Sequence, residues 1–329
     1  MEGRKRSLSG IRVTGRFHLG NYLGAGINYV GLQDQYESYI FVADYHTLTT
    51  IPNARDFRDD LYEMVMDLIA IGVDPERTVI YRQSMIPMVA ELTLLLAMVT
   101  PLGWVQRVPT FKEKVRDQPD NVNLGLFEYP VLQSADIIIV KGDVVPVGRD
   151  QAPHVELTRE ITRRFNRTYG PVFPEPQVVL NPDAPIVKGT DGKAKMSKSL
   201  KNIVGVTDPP DVIRKQVMSM VTDTKRVYKT QPGHPRTCNV CAFYKFFFDD
   251  WEHYWDLCRK AQIGCQEKKR ILAERIVERF APFRERRAEL SREQIDAILE
   301  SGGERARAIA GGTMDEVRAA VGLPPYARD

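Results

Sequence analysis

No window of about 20 consecutive apolar residues occurs in the 329-residue sequence, so no membrane-spanning helix is expected. The basic start, Met1 to Ser7, is not followed by an apolar run of the signal-peptide kind, so export is not expected and a cytoplasmic location is. Low-complexity tracts and internal repeats are also missing. A dominant charge is missing too. The 46 Lys and Arg against 43 Asp and Glu leave a net +3, so bulk charge does not announce a nucleic-acid binder. Local basic stretches exist at Lys268–Arg275 and Arg284–Arg287, and such runs are commonly solvated helix faces. Cysteine is scarce, and all 4 fall between residues 238 and 265, which points to a metal or free thiols rather than disulfides.

What is present is a globular composition, 43% hydrophobic and 27% charged, long enough for about two domains. In the first half, short apolar runs alternate with helix-length amphipathic stretches. Tyr39–Ala43, Thr78–Arg82 and Ile137–Val140 read as strands buried on both faces. Phe57, Leu61, Met64, Val65 and Leu68 recur at helical spacing, and Gly72 stops that helix. The alternation predicts an α/β, Rossmann-like parallel sheet whose ligand sits beyond the carboxyl ends of the strands. After residue 190 the texture becomes helical. Asp208-Pro209-Pro210 reads as an N-cap with proline in the first turn. Leu272, Ile276, Phe280 and Phe283 make one apolar stripe that Pro282 bends or ends, and Thr313 with Glu316 reads as the capping box of a last helix. The expected division is residues 1–190 as catalytic domain and 191–329 as a lysine-rich loop followed by a helical domain.

Two separated motifs carry chemistry. Ser9 to Tyr22 reads as a strand, a turn and a helix that begins near His18–Asn21. Gly20 lets a nucleotide approach the backbone, the helix N-terminus offers free N–H groups, and His18 and Asn21 offer neutral hydrogen bonds to phosphate oxygens. The second motif is Lys195-Met196-Ser197-Lys198-Ser199 after Gly189-Thr190-Asp191-Gly192, two lysines on a loop able to close over a triphosphate.

Together these resemble the HIGH and KMSKS signatures of class I aminoacyl-tRNA synthetases. The resemblance implies amino-acid activation with ATP and Mg²⁺, without a protein nucleophile. Lys195 and Lys198 would stabilise the departing pyrophosphate, and Lys112 would reach the outer phosphates, with Mg²⁺ held mainly by the phosphates themselves. It places ATP against Arg12, Thr14, Gly15, Gly20, Asn21, Gly148, Asp150, Lys195, Met196, Ser197 and Lys198, with Asp150 meeting the ribose.

Within that class the chain is similar over nearly its whole length to the tryptophanyl enzymes, through Gly125–Asp136, Val145–Gln151, His154–Arg159 and Arg164–Asn166. Indole has only an N–H donor at its polar edge, so its site needs a buried acceptor, and Asp136 is the candidate. Tyr129 and Gln133 would hold the α-amino group, with Gln151 and His46 close by, and Val145 and Val147 would wall the indole. Leu8 and Gly10 complete this expected tryptophan site. The alternative is a tyrosyl-tRNA synthetase. Leu8 and Arg12 stand where tyrosyl enzymes carry a tyrosine and an aspartate, and both disfavour a phenol. Arg12 and Arg149 also depart from the glutamine and glutamate common in tryptophanyl enzymes. The resemblance further implies a homodimer that binds tRNA(Trp), with the basic helices after Cys265 as its anchors. Two other classes compete, a small-molecule nucleotidyltransferase and a non-catalytic synthetase-like binder. Residues 205–329 argue against the first, and the retained Lys195, Lys198 and His18 argue against the second.

Cys238, Cys241, Cys258 and Cys265 have spacings that can complete a zinc or iron–sulfur site, and buried free thiols are the bland alternative. A subset of tryptophanyl enzymes holds a [4Fe–4S] cluster in the helical domain. Cys238, Cys258 and Cys265 resemble its first three ligands, while Lys268 stands at the fourth and Cys241 is extra. Iron–sulfur, zinc and free thiols all stay open at this point.

Overall fold

The computed structural model describes residues 3–51, 53–108, 116, 119–149, 151–180, 185 and 187–326. Five parallel strands are ordered β3-β2-β1-β4-β5: β1 Arg6–Ile11, β2 Glu37–Val42, β3 Thr78–Arg82, β4 Val144–Val147 and β5 Gln177–Leu180. The expected α/β architecture is present. Register pairs Leu8 with Tyr39, Tyr39 with Val79, and Ser7 with Val144. Side chains alternate across the sheet: Ile40, Val42 and Ile80 enter one core, while Tyr39, Phe41, Val79 and Tyr81 enter the other. Burial on both faces is why these runs carry no polar alternation.

Ile137–Val140 is not a strand. It is the end of the helix Leu124–Ile139 and the residue after it, all buried, and the strand is Val144–Val147 a few residues on. A short apolar run buried all round cannot be told from a strand by periodicity. Phe57 precedes the helix Arg58–Ala70, and Gly72 follows it at φ 114°, in the left-handed region that ends helices.

The C-terminal helices pack as the stripe predicts. Leu272, Ile276 and Phe280 are fully buried, and Pro282 sits in the first turn of Ala281–Ala288, separating it from Cys265–Arg279. Two end signals differ. Asp208 does not cap: Pro209 holds the N-cap position of Pro210–Met218, and the Asp208 carboxylate instead binds Arg16 and Gln216. Thr313 and Glu316 lie inside one long helix, Arg292–Val321, whose real capping box is Ser291 with Gln294. Thr313 is buried in the core and Glu316 pairs with Lys141, so tertiary contacts override the local pattern.

That long helix returns to the sheet and lies on β3. Gly302 meets the strand so closely that a β-carbon there would collide with the carbonyl oxygen of Ile80. Because the obstacle is backbone, it cannot step aside. Gly302→Ala is expected to cost about 1–3 kcal/mol of overpacking, a fall of roughly 1–5 °C in Tm. Gly311→Ala, with nothing near its would-be β-carbon, is the control and should leave Tm unchanged or slightly raised. Equal Tm values for both variants in a thermal melt would contradict this packing.

Candidate active site

At the carboxyl ends of β1 and β4, where the strand order reverses, a cavity of about 280 Å³ opens. β1 and its continuation supply Leu8, Ser9, Gly10 and Arg12, and β4 supplies Val145, Pro146 and Val147. The helix Leu124–Ile139 presents Tyr129, Gln133 and Ile137 on one face, four residues apart, as helical geometry requires. His46, Gln151, Tyr29, Phe41 and Ala43 close the wall. Leu8, Gly10, His46, Tyr129, Gln133, Val145, Val147 and Gln151, all expected from the sequence, thus surround one space. Glycine is needed at position 10 because a β-carbon would lie 2.6 Å from Cζ of Phe41.

Asp136 does not itself line the cavity. It is 4% exposed and engaged by two neighbours. Oδ2 accepts from His46 Nε2 at 2.9 Å and from Gln83 Nε2 at 2.8 Å, and Oδ1 accepts from Gln83 Nε2 at 2.9 Å. Burial raises its pKa, against hydrogen bonds from His46 and Gln83 that pull the other way. Gln83 was not anticipated. Its one sequence signal is a polar residue directly after the carboxyl end of an apolar strand, where ligand-facing groups fall.

Beside this cavity lies the first glycine-rich turn. His18 is the N-cap of Leu19–Asn21: its Nδ1 accepts the N–H of Asn21 at 3.3 Å, while Asn21 Oδ1 accepts the N–H of His18 at 3.1 Å. With Nδ1 accepting, the ring proton resides on Nε2. Burial, and then the positive charge of Lys198, lower the His18 pKa to about 4, so the ring is neutral at physiological pH. Gly20 is tight here, since a β-carbon would stand 3.0 Å from two ring atoms of His18. Gly15 adopts φ 69°, and the side chains of Asp60 and Lys198 close over it.

The lysine loop docks on this turn. Met196 is 6% exposed and packs by Gly20, Leu19 donates to the carbonyl of Val204 at 2.9 Å, and His18 pairs with Gly205. Asn202, another residue the sequence did not announce, organises the loop. Its Oδ1 accepts from the N–H of Ser197 at 2.7 Å, and its Nδ2 donates to Lys195 O at 3.2 Å and Asp191 Oδ2 at 3.1 Å. Lys198 is half-buried. Burial lowers its pKa while Asp60, Asp67 and Asp208 draw it back up. Lys195 and Thr14 are exposed, as is Gly148 at the end of β4. Arg12 reaches over the cavity mouth to Thr50 Oγ1 at 2.6 Å. Lys112 and Asp150 lie outside the described residues.

A buried carboxylate ties these parts to the C-terminal helices. Asp67 is fully buried, accepts from the N–H of Phe17 at 2.6 Å and from Thr207 Oγ1 at 2.6 Å, and pairs with Arg287 at 2.6 Å. Residues 16–18, the segment after the lysine loop and the helix Ala281–Ala288 therefore share one anchor.

The cysteines do not assemble as four. Lys268, fully buried, places Nζ 3.1 Å from Cys241 Sγ and 2.9 Å from Cys258 Sγ, with Cys238 beside Cys241. Hydrogen bonding from Cys241, then from Lys268, lowers the Cys258 pKa against the burial that raises it. Burial opposes the charge on Lys268, but the sulfurs outweigh it and its pKa is raised. Cys265 is partly exposed and lines a different surface hollow with Tyr228 and Arg270. Among the described residues no group of three or more His, Cys, Asp or Glu is arranged to hold a metal ion. The donor set here, two sulfurs on an ammonium with the third beside one of them, does not fit an iron–sulfur or zinc centre.

A parallel sheet with this strand order, an amino-acid-sized cavity at its switch point and a lysine loop docked on a histidine-capped turn defines a nucleotide-using α/β enzyme. Residues 2–281 match the family of class I tRNA synthetases (W and Y), and the chain belongs to it. Its relatives narrow the likeness further. The chain is 37% identical to the tryptophan–tRNA ligase of Aquifex aeolicus, covering 97% of this chain and 100% of that one. It is 40% identical to that of Deinococcus radiodurans, covering 97% and 98%. Among solved structures it is similar to tryptophanyl-tRNA synthetase from Campylobacter jejuni complexed with ADP and tryptophan. There the TM-score is 0.88 at 32% identity, covering 97% of this chain and 100% of that one.

Proposed function

We infer that the chain is a tryptophan–tRNA ligase, which activates L-tryptophan with ATP to tryptophanyl-adenylate and transfers the amino acid to tRNA(Trp). The observation that carries this reading is the convergence of Tyr129, Gln133, His46 and Gln151 on an apolar cavity next to the His18 turn. A carboxylate has about four acceptor positions, and His46 and Gln83 fill three on Asp136, which leaves one for an indole N–H. Tyr129 and Gln133 hold the α-amino group, and Val145 and Val147 face the ring.

In activation the tryptophan carboxylate oxygen attacks the α-phosphorus of ATP, and the bond to the β-phosphate breaks as pyrophosphate leaves. Mg²⁺ arrives with the nucleotide. This chain's part is positioning and charge. The Nε2–H of His18, the N–H of Gly20 and the side-chain Nδ2 of Asn21 donate to phosphate oxygens, and Lys195 and Lys198 neutralise the pyrophosphate. Gly15, Thr14, Met196 and Ser197 shape the nucleotide cleft, with Gly148 and Asp150 on the ribose side and Lys112 on the outer phosphates. Arg12 reaches the α-phosphate or the substrate carboxylate.

Because the folded-state pKa of His18 is depressed to about 4, protonating this ring does not switch activation off between pH 8 and pH 5. The sign for stability follows. Below the ordinary histidine value near 6.5 the unfolded chain binds a proton that the folded ring refuses, so stability falls as pH drops from about 6.5 toward 4. An NMR titration of the His18 ring should show a midpoint near 4, and a midpoint near 6.5 would contradict it.

For tRNA, Lys268 and Lys269 leave the expected anchors, since both are buried and Lys269 donates to Met218 O at 2.9 Å. Arg287 is committed to Asp67 and Glu63. Arg270 and Arg286 are exposed and face phosphates from solvent, whereas Arg275 donates to Phe247 O at 3.0 Å and Arg279 bonds the Tyr22 hydroxyl. Functionally, residues 1–190 hold ATP and tryptophan, while 191–329 supply the lysine loop and meet the tRNA. The homodimer is supported by the exposed apolar side chains Leu94 and Met98, four residues apart on the helix Met88–Val99, and by Leu102 at the start of the next helix, which are 55%, 68% and 63% exposed. No described helix is long and apolar enough to cross a membrane. Work on tRNA places the enzyme in the cytoplasm.

The test is ATP–pyrophosphate exchange with each of the twenty amino acids. Exchange with tryptophan alone is expected. Exchange with tyrosine would move the chain to the sister specificity and show that Leu8 and Arg12 do not exclude a phenol. No exchange with any amino acid, in the presence of tRNA, would sink the reading.

A further inference from the structure

Lysine is almost never fully buried without a partner, and Lys268 is fully buried. Its partners are sulfur, with Nζ 3.1 Å from Cys241 Sγ and 2.9 Å from Cys258 Sγ. The three cysteines come from two helices. Cys238 is the N-cap of the helix Asn239–Phe247, Cys241 lies in its first turn, and Cys258 ends the helix Trp251–Arg259. Lys268 lies in the first turns of Cys265–Arg279.

We infer that Cys238, Cys241, Cys258 and Lys268 form a metal-independent thiol–ammonium cluster, in which Nζ of Lys268 fills the position a metal centre would need. A zinc or iron centre requires sulfurs directed at one cation with thiolate bonds of about 2.3 Å. Here the cation between the sulfurs is already present and covalently tethered, and an ammonium has donors but no lone pair to offer a metal. The fourth cysteine does not complete the set, because Cys265 faces the separate surface hollow.

The cluster also holds the base of the active-site loop. The backbone N–H of Cys238 donates to His234 O at 3.1 Å, and that of Gly233 donates to Cys258 O at 2.9 Å. Gly233 sits so close to Cys258 Sγ that a β-carbon would collide with it. Asn239, next to Cys238 and 8% exposed, donates from Nδ2 to the carbonyl of Gly189 at 2.8 Å. Gly189 in turn closes the lysine loop by donating to Ala194 O at 2.8 Å. The ammonium thus joins three helices, one of which is tied through Asn239 to the base of the loop that carries Lys195 and Lys198. This reading is independent of which amino acid the enzyme activates.

The experiment uses the full chain, purified without oxygen, with metals measured by mass spectrometry. Samples are taken as isolated and after incubation with ferrous iron plus sulfide, or with zinc, followed by gel filtration. Less than about 0.1 equivalents of either metal is expected. Retention of about one zinc, or about four irons with a sulfide-dependent visible absorption, overturns the inference. In the second arm, Lys268→Met keeps the stem and removes the charge. Its Tm should fall by about 4–7 °C, because a buried pair has lost one member, and Cys258 should react more slowly with a thiol reagent, because its thiolate form has lost the cation that favours it. Unchanged Tm and thiol reactivity would equally overturn it. If Lys268→Met does not fold, the metal measurement on the unmodified chain decides alone.

Discussion

Lys198→Ala is expected to lower the rate of tryptophan-dependent pyrophosphate exchange by about 10²–10³-fold, the cost of one preorganised charge at a phosphoryl-transfer site. The KM for tryptophan should change little, because the lysine acts on charge that develops as pyrophosphate departs. The geometry motivates the size. Lys198 is half-buried where the lysine loop meets Gly15 and His18, so its charge is screened less by water than that of the exposed Lys195. Asp60, Asp67 and Asp208 draw its pKa back up against the burial that lowers it. Lys195→Ala should therefore cost less than Lys198→Ala. Removing Lys198 also removes one of the two causes that hold the His18 pKa down, so the His18 midpoint should rise in the same variant. Exchange within threefold of the unmodified enzyme would show that the loop lysine does not meet the phosphates.

Asp136→Asn is expected to lower kcat/KM for tryptophan by about 100-fold, or ~2.7 kcal/mol, with the KM for ATP nearly unchanged. The substitution is close to isosteric, so the effect is electronic. In the present arrangement both carboxylate oxygens accept, from His46 and Gln83. An amide replaces one acceptor by an NH₂ group, which must then oppose either a donor from His46 or Gln83 or the incoming indole N–H. The site keeps its shape and loses its polarity, which separates recognition from folding. Gln83→Leu should give a smaller loss in the same direction, since one orienting donor goes while the acceptor stays. If Asp136→Asn leaves the tryptophan KM and kcat/KM intact, the indole is recognised elsewhere in the cavity, with His46 as the next candidate.

The residues that touch the cavity were largely legible in the sequence because they lie in contiguous motifs whose chemistry is local. The capping box of His18 with Asn21 is a four-residue matter, and the spacing of Tyr129 and Gln133 on one helical face follows from 3.6 residues per turn. Gln83 and Asn202 were not legible, since each is a single amide whose partners are distant in sequence or bond it through backbone groups. The burial of Lys268, Lys269 and Arg287 was not legible either. A basic run on an amphipathic helix looks the same whether its cations meet water, thiols or a buried carboxylate. The same limit explains Ile137–Val140, where full burial erased the period that separates strand from helix.

By itself the sequence determined the α/β alternation, the glycine-rich turn with its histidine cap, and the lysine loop. These depend on backbone dihedrals, helix ends and hydrophobic period within a few residues. Tertiary structure alone decided which side chains share a space. It buried Asp136 against His46 and Gln83 at the cavity, and it folded the lysine loop onto the His18 turn. It also brought Lys268 among sulfurs from two other helices. Each of these contacts joins residues far apart in the chain, and desolvation makes each one either fully partnered or costly. No local propensity encodes that condition, because only the packed structure creates the low-dielectric setting in which it applies.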